Sequence, residues 1–352
     1  MKKVVILHTG GTIASKVDYK TGGVVAKYSE KDMIEMFPEL KNIVEVKSKL
    51  IKNMSSEDMN FKHFNLIAKE AAKELKNSDG VIITHGTDTL HYSAAALSFI
   101  LEGLDKPVIF VGAQRSSDRG SSDAEMNLIC AAQFIEKSDF FGVGICMHEG
   151  MSDDNCLILP GVKTRKLHTS RRDAFKAVND EAIARVDKKG KIEFLKEINK
   201  EKGKLQLKLI NEKIKVGLIK SRPGMLASEL KIYEKYDGLV LEGTGLGHFP
   251  ITKMDKLTEE NGKIFNQIKK LAGKIPLVMT SQCIFGRINM NVYSPGRELI
   301  KIGVLGNQND MLPEVAYVKL FWLLSNHKKD VRKMIGENLR GEINNRIKDE
   351  FL

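Results

Sequence analysis

A two-domain α/β fold built on parallel sheets is what this chain predicts, and three observations predict it. The first is size: 352 residues, 42% of them hydrophobic, exceed one ordinary domain core, so two domains are expected. The second is alternation, since short apolar runs recur between stretches whose apolar residues fall at helical spacing. The third is an interruption. Between Asp187 and Lys215 stand ten lysines against five acidic residues, interspersed rather than blocked, and the alternation restarts beyond them.

Taken in order, Val4 to His8, Gly80 to Thr84, Pro107 to Ala113 and Gly142 to Met147 read as buried strands. Phe61 to Lys76, Leu90 to Leu104 and Asp123 to Glu136 read as the helices between them. This assigns residues 1–187 to a larger N-terminal domain and 188–213 to a charged linker or hairpin. Residues 214–352 become a smaller α/β domain, with strands Val216 to Ile219, Gly238 to Glu242 and Leu277 to Thr280 and helices near Glu229 to Tyr236 and Lys263 to Leu271. The chain is expected to close with helices over Asp310 to Leu324 and along the charged amphipathic stretch to Leu352. There is no internal repeat and no low-complexity tract.

Composition excludes some function classes. No apolar run approaches the ~20 residues that span a bilayer, and the apolar stretch after Met1-Lys2-Lys3 is too short for a signal peptide, so a cytoplasmic protein without membrane contact is expected. Cys130, Cys146, Cys156 and Cys283 show neither C-x-x-C spacing nor a pattern with His. That disfavours zinc and disulfides and predicts buried thiols. The net charge of +11 has two readings, attraction to a polyanion such as RNA and a lysine-rich surface habit, and charge alone does not choose between them.

The chemistry is expected in two loops. His8-Thr9-Gly10-Gly11-Thr12-Ile13-Ala14-Ser15 delivers the Thr12 hydroxyl directly after the first strand, through glycines that turn tightly and leave their N–H groups uncrowded for a developing oxyanion. After the strand at Gly80 comes Thr84-His85-Gly86-Thr87-Asp88-Thr89. In an open α/β sheet, loops that follow parallel strands gather at one edge, where ligands bind. A dinucleotide site is rejected, because Gly10-Gly11-Thr12 lacks the G-x-G-x-x-G spacing and runs on into Asp18, Tyr19, Thr21, Gly22 and Gly23, which read as a surface hairpin or as a lid over Thr12 with Tyr19 near its tip. A threonine hydroxyl needs a base, and a lysine of lowered pKa can serve. Lys166, in Lys163-Thr164-Arg165-Lys166-Leu167-His168-Thr169-Ser170-Arg171-Arg172-Asp173, is the candidate. Burial would lower its pKa and Asp88 nearby would raise it, and the residues alone leave that balance open.

Thr9 to Ala14 and His85 to Thr89 resemble the two signatures of the L-asparaginase and glutaminase amidohydrolases. Seven further segments, beginning at Leu90, Val111, Lys166, Glu242, Met279, Asn289 and Asp310, resemble more closely the D subunits of archaeal glutamyl-tRNA(Gln) amidotransferases, and the resemblance covers nearly the whole chain. It implies an asparaginase-like fold, a flavodoxin-like parallel sheet followed by a smaller α/β domain. It implies a glutaminase in which Thr12 forms a γ-glutamyl ester and Thr87, Asp88 and Lys166 relay protons from it and then from water. Ser56 and Glu57 would hold the α-carboxylate and α-ammonium of L-glutamine, Gly11, Gly86 and Ala113 would line the pocket, and Tyr19 would support Thr12 from the mobile loop. No cofactor is implied for this chain, since ATP and magnesium belong to the partner E subunit, through which tRNA(Gln) is reached; a homodimer is expected. The family carries a small domain before the first Thr loop, and this chain opens on its first strand, so the expectation is either that this domain is absent or that the start site is mis-set, which bears on docking to the E subunit and not on the chemistry. The alternatives are a stand-alone cytosolic L-asparaginase and a non-catalytic scaffold that contacts tRNA or a partner.

Outside the relay, His85 and His91 bracket the second motif without a third ligand at metal spacing and read as structural hydrogen-bonding residues. His168, Arg171 and Arg172 read equally as a partner or ammonia-path surface and as a solvated loop. His248 is expected, on the family's habit of completing sites across a dimer, to reach a neighbouring subunit.

Overall fold

The computed structural model describes residues 1–17, 20–21, 24–26, 35–197 and 203–347. The chain forms two compact units, Met1–Ala177 with Glu181–Lys208, and Val178–Asp180 with Leu209–Leu352.

The first unit is organised by an eight-stranded sheet. Its strands are β1 (Lys3–His8), β2 (Glu45–Leu50), β3 (Gly80–Thr84), β4 (Pro107–Val111), β5 (Gly142–His148) and β6 (Asn155–Pro160). A separate two-stranded hairpin, β7 (Thr164–Lys166) and β8 (Phe175–Ala177), comes next in the chain, and the sheet is completed by β9 (Ala184–Asp187) and β10 (Ile192–Phe194). The order across the sheet is β10-β9-β6-β5-β4-β3-β1-β2. Pairing is parallel from β2 through β5 and antiparallel from β5 outward to β10. The parallel half therefore runs 2-1-3-4-5, the flavodoxin-like order, whose switch point lies between β1 and β3. Leu7, Val81, Ile82 and Ile83 are 0% exposed, because a parallel strand covered on both faces needs an unbroken apolar run instead of an alternating one.

Helices α1 (Phe61–Glu74), α2 (Leu90–Ile100) and α3 (Ala124–Lys137) cover this sheet. Asn60 caps α1: its side chain accepts from the Lys62 amide at 3.0 Å while His63 Nδ1 accepts from the Asn60 amide at 3.1 Å, satisfying donors that a helix start leaves orphaned. The expected helix to Leu104 stops at Ile100. Leu101–Glu102 instead pairs with Gln206–Leu207, and Gly103, at φ +72°, turns the chain out of helical geometry. The stretch 188–213, read as a charged linker or hairpin, thus contributes β10 and this short pair to the first unit.

The second unit holds a three-stranded parallel sheet, β11 (Val216–Lys220), β12 (Gly238–Gly243) and β13 (Leu277–Ser281). The helix expected near Glu229 is a 3-10 helix, Ala227–Lys235. Helix α4 (Glu259–Ala272) and α5 (Ser294–Lys301) follow. Helix α6 (Pro313–Asn326) starts three residues later than expected, with proline at its first position, where its missing N–H is no loss. Beyond α7 (Val331–Met334) the expected terminal helix is replaced by turns among the described residues. Lys319 is buried and draws that segment over itself, pairing with the buried Glu342 at 2.6 Å and donating to the Ile335 carbonyl at 3.1 Å; Gly341, at φ +89°, is incompatible with a continuing helix.

No described helix is long and apolar enough to cross a membrane. Cys130, Cys146 and Cys156 are buried, as expected, but Cys283 is exposed.

Candidate active site

The switch point sets the site. The register pairs His8 with Thr84, so β1 and β3 end level. The ends are locked by a 2.8 Å contact between His8 Nδ1 and Thr84 Oγ1 and by the Thr9 amide donating to the Thr84 carbonyl at 3.1 Å. Both Thr loops therefore leave the sheet from one height.

Glycine is what lets them touch. Gly11 has φ +81°, and a Cβ there would stand 2.4 Å from the Gly86 Cα and N; one on Gly86 would meet the Ser56 side chain at 2.8 Å. No side chain fits in either gap. The loops carrying Thr12 and Thr87 thus cross at Gly11 and Gly86, with the Ser56 loop against them. Thr12 opens a 3-10 turn, Thr12–Ala14, and is half-buried. Its neighbour Ile13 is fully buried, and the Ile13 carbonyl accepts from Ser117 Oγ at 2.7 Å. The short strands Ser15–Val17 and Val24–Ala26 pair as a hairpin after this turn; Tyr19, at its expected tip, lies outside the described residues.

Lys166 closes the constellation from the third side. Its Nζ donates at 2.8 Å to Thr87 Oγ1 and at 2.8 Å to Asp88 Oδ1. The Lys166 side chain is 10% exposed and that of Asp88 64%. Two of the hydrogen-bonding positions of its nitrogen are thus directed at protein groups of the second Thr loop. The hairpin β7–β8 carries Lys166 here, registered opposite Phe175, which is fully buried.

Ser56 is 2% exposed, begins the 3-10 turn Ser56–Asp58, and accepts at its carbonyl from Thr89 Oγ1 at 2.6 Å. Glu57 follows it on the same turn, exposed. Ala113 is fully buried and held on both sides. Asn127 Nδ2 donates to the Gly112 carbonyl at 2.9 Å, and the Gln114 amide donates to both Asp123 carboxylate oxygens at 3.0 Å. Three supporting residues lie outside the sequence-based expectations. Gln114 Oε1 accepts a long 3.5 Å bond from Thr87 Oγ1, and Asp123 and Asn127 are completely buried. Asp123 and Asn127, one turn apart at the start of α3, are buried polar groups on an otherwise apolar face. That is the readable signal, because such groups demand partners.

His85 and His91 are both buried beside the second Thr loop. His85 Nδ1 donates to the Gly86 carbonyl at 2.7 Å, and in the neutral ring that burial favours Nε2 accepts from Ser93 Oγ at 2.8 Å. Burial pushes its pKa down to about 4. Burial, and then Arg165 and Lys166, push His91 to about 3. His168 Nδ1 accepts from the amides of Ser170 and Arg171, both at 3.1 Å. Arg171 is exposed and pairs with Asp173 at 2.8 and 3.0 Å, while Arg172 is buried; Arg172 is thus neither solvated nor free to meet a partner. In the second unit His248 packs edge-on against Tyr293, ring centres 5.5 Å apart.

Residues 3–200 match the family model "Asparaginase, N-terminal" and residues 215–334 match "Glutaminase/Asparaginase C-terminal domain". The D subunit of the glutamyl-tRNA(Gln) amidotransferase from Pyrococcus horikoshii is 47% identical over 97% of this chain and 76% of its own length. That of Archaeoglobus fulgidus is 46% identical over 97% and 79%. Among solved structures, the L-asparaginase of Thermococcus kodakarensis superposes with a TM-score of 0.85 at 28% identity, covering 98% of this chain and 100% of that one. On these matches the chain belongs to the glutaminase/asparaginase amidohydrolases and, within them, to the family of glutamyl-tRNA(Gln) amidotransferase D subunits.

Proposed function

We propose that this chain hydrolyses the side-chain amide of L-glutamine and supplies the ammonia to a partner E subunit that amidates glutamyl-tRNA(Gln) with ATP and magnesium. The observation that carries this reading is Lys166 Nζ at 2.8 Å from both Thr87 Oγ1 and Asp88 Oδ1, beside the turn that presents Thr12. In this reading the Thr12 hydroxyl, once deprotonated, adds to the amide carbon, and loop N–H groups around Gly11 receive the oxyanion. The C–N bond breaks, ammonia leaves with a proton, and a γ-glutamyl ester remains on Thr12. Water deprotonated through the Thr87–Lys166 pair then cleaves the ester. Binding of a zwitterionic amino acid calls for donors to its carboxylate and acids for its ammonium, roles given to the Ser56 turn and to Glu57 with Asp88.

Glu57→Gln should raise KM for glutamine at least ~10-fold, since hydrogen bonds to a charged group contribute about 1.5–3 kcal/mol, with little change in Tm because the side chain is exposed. An unchanged KM in steady-state ammonia release would remove Glu57 from the pocket.

The second reading, a stand-alone L-asparaginase, is favoured by the near-complete superposition on such an enzyme. One methylene in a pocket discriminates by only about 1–3 kcal/mol. The two readings separate in one experiment: ammonia release from glutamine and from asparagine by the chain alone, with E subunit, and with E subunit plus glutamyl-tRNA(Gln). We expect slow glutamine turnover alone and at least a tenfold rise with both additions, which needs only about 1.4 kcal/mol of differential affinity between resting and active states. Fast, partner-independent turnover with asparagine preferred would establish the second reading instead.

A further inference from the structure

The hairpin that delivers Lys166 carries a buried guanidinium at its tip, beside the bond from Lys176 of β8 to the Glu149 carbonyl at 2.9 Å. Arg172, in the loop between β7 and β8, donates from Nη2 to the Ser121 carbonyl at 2.6 Å, and from Nη1 to the Met151 carbonyl at 3.2 Å and Asp153 Oδ1 at 3.1 Å. Ser121 lies in the loop after β4, and Met151 and Asp153 in the loop after β5. Arg172 therefore joins three loops at the edge of the sheet where the Thr loops also emerge.

Each of those loops is fixed from behind. Asp153 Oδ1 meets His148 Nε2 at 3.0 Å, His148 Nδ1 meets Asn127 Oδ1 at 2.6 Å, and Asn127 Nδ2 donates to the Gly112 carbonyl at 2.9 Å. The His148 contact first, and then the nearby Arg172, hold the Asp153 carboxyl below its usual range against the opposing effect of burial. The loop after β4 reaches the nucleophile's turn as well, through Ser117 Oγ on the Ile13 carbonyl at 2.7 Å. Lys166 and Thr12 thus sit on separate segments, and both are referenced to residues 112–123: Thr12 through Ser117, Lys166 through Arg172.

We propose that Arg172 is a positioning residue for catalysis, clamping the β7–β8 hairpin to the loops after β4 and β5 so that Lys166 Nζ stays within reach of Thr87 and Asp88. This rests on the amidohydrolase reading above. Arginine suits the place because its planar fork serves acceptors on two sides at once, which a lysine ammonium at the end of a flexible stem does less well. Loss of the clamp lets the hairpin tip relax while the Ser56–Glu57 turn and the Gly11–Gly86 crossing, on other segments, stay put. The signature is a fall in kcat with little change in KM. A misplacement of about 1 Å at a catalytic group costs on the order of 100-fold.

The test uses the full chain and ammonia release from glutamine and asparagine, well below each variant's Tm, per site titrated with an electrophilic glutamine analogue. Arg172→Met should lower kcat about 100-fold with KM within twofold of the parent, and Arg172→Lys should recover part of that loss. Asp153 is half-exposed, so Asp153→Asn keeps the fold safe and should lower kcat in the same direction by less. Arg185→Gln is the control. It breaks an ion-pair set of similar density, on Glu149 at 2.7 Å and Glu193 at 2.6 Å, that makes no contact with Arg172, and it leaves in place the Glu149 carbonyl on which Lys176 of β8 rests, so it should lower Tm without changing kcat per titrated site. The proposal is overturned if kcat per titrated site is unchanged in Arg172→Met and Asp153→Asn, or if Arg185→Gln loses as much as they do. A parent chain inactive on both amides, alone and with E subunit plus glutamyl-tRNA(Gln), would instead defeat the amidohydrolase reading itself.

Discussion

Thr12→Ala should abolish turnover, by on the order of 10⁴–10⁶-fold, the scale on which removal of a hydrolase nucleophile is felt, and should leave the fold intact. The argument is positional. Gly11 lets the Thr12 loop cross the Thr87 loop where no Cβ would fit, and Thr12 heads a turn whose next residue, Ile13, is anchored in the core. Its hydroxyl is presented by a rigid frame to which it contributes little, so the change in Tm should correspond to about 1 kcal/mol or less. Thr87, by contrast, already accepts a 2.8 Å bond from Lys166, as befits a proton relay. Mass spectrometry after treatment with an electrophilic glutamine analogue should find the adduct on Thr12 and none in Thr12→Ala. An adduct on Thr87 with Thr12 bare would reverse the two roles.

How much of this is legible in the sequence follows from which signals are local. The strands at Gly80, Pro107 and Gly142 are continuous apolar runs, and such runs follow from burial on both faces, so their places can be read. Edge strand β2, Glu45-Val46-Lys47-Ser48-Lys49-Leu50, mixes lysine with valine and is half-exposed along its length. That is how an edge strand avoids pairing with other chains, and it erases the periodicity that would reveal it. Strands β9 and β10 are short and antiparallel, and their pairing depends on distant partners. The site divides the same way. Thr12, Thr87 and Asp88 stand in compact motifs after strands. Lys166 alone is one of many lysines, and only the resemblance of the surrounding segment to a family singles it out. What places it is Phe175 opposite on the hairpin and Arg172 at its tip, residues whose value appears only when β7–β8 folds back on the loops after β4 and β5. Residues 335–347 have a helical pattern and form turns, because burial of Lys319 beneath Glu342 is a long-range event that outweighs local helix propensity.

Replacing Lys166 with Met and Asp88 with Asn, singly and together, should show losses in kcat that do not add. Each single change should cost on the order of 10³-fold or more, and the double change should cost nearly the same as the worse single. The reason is that the two groups act through one shared arrangement. Lys166 Nζ is directed by Asp88 Oδ1 and by Thr87 Oγ1, each at 2.8 Å. Without Asp88, the amine of a long flexible stem loses one of its two fixed partners and samples other rotamers. Without Lys166, Asp88 has nothing to orient, and Thr87 loses the group that moves its proton. Residues that work as a unit are non-additive for this reason. Exposure of Asp88 matters to the reading: with its side chain 64% exposed, the ion pair is screened by water and contributes little to stability, so Tm should fall by only a few degrees in any of the three variants. Rate losses that multiplied across the double variant would instead show two independent effects, and would leave Lys166 as a structural contact of Thr87 instead of the group that moves its proton.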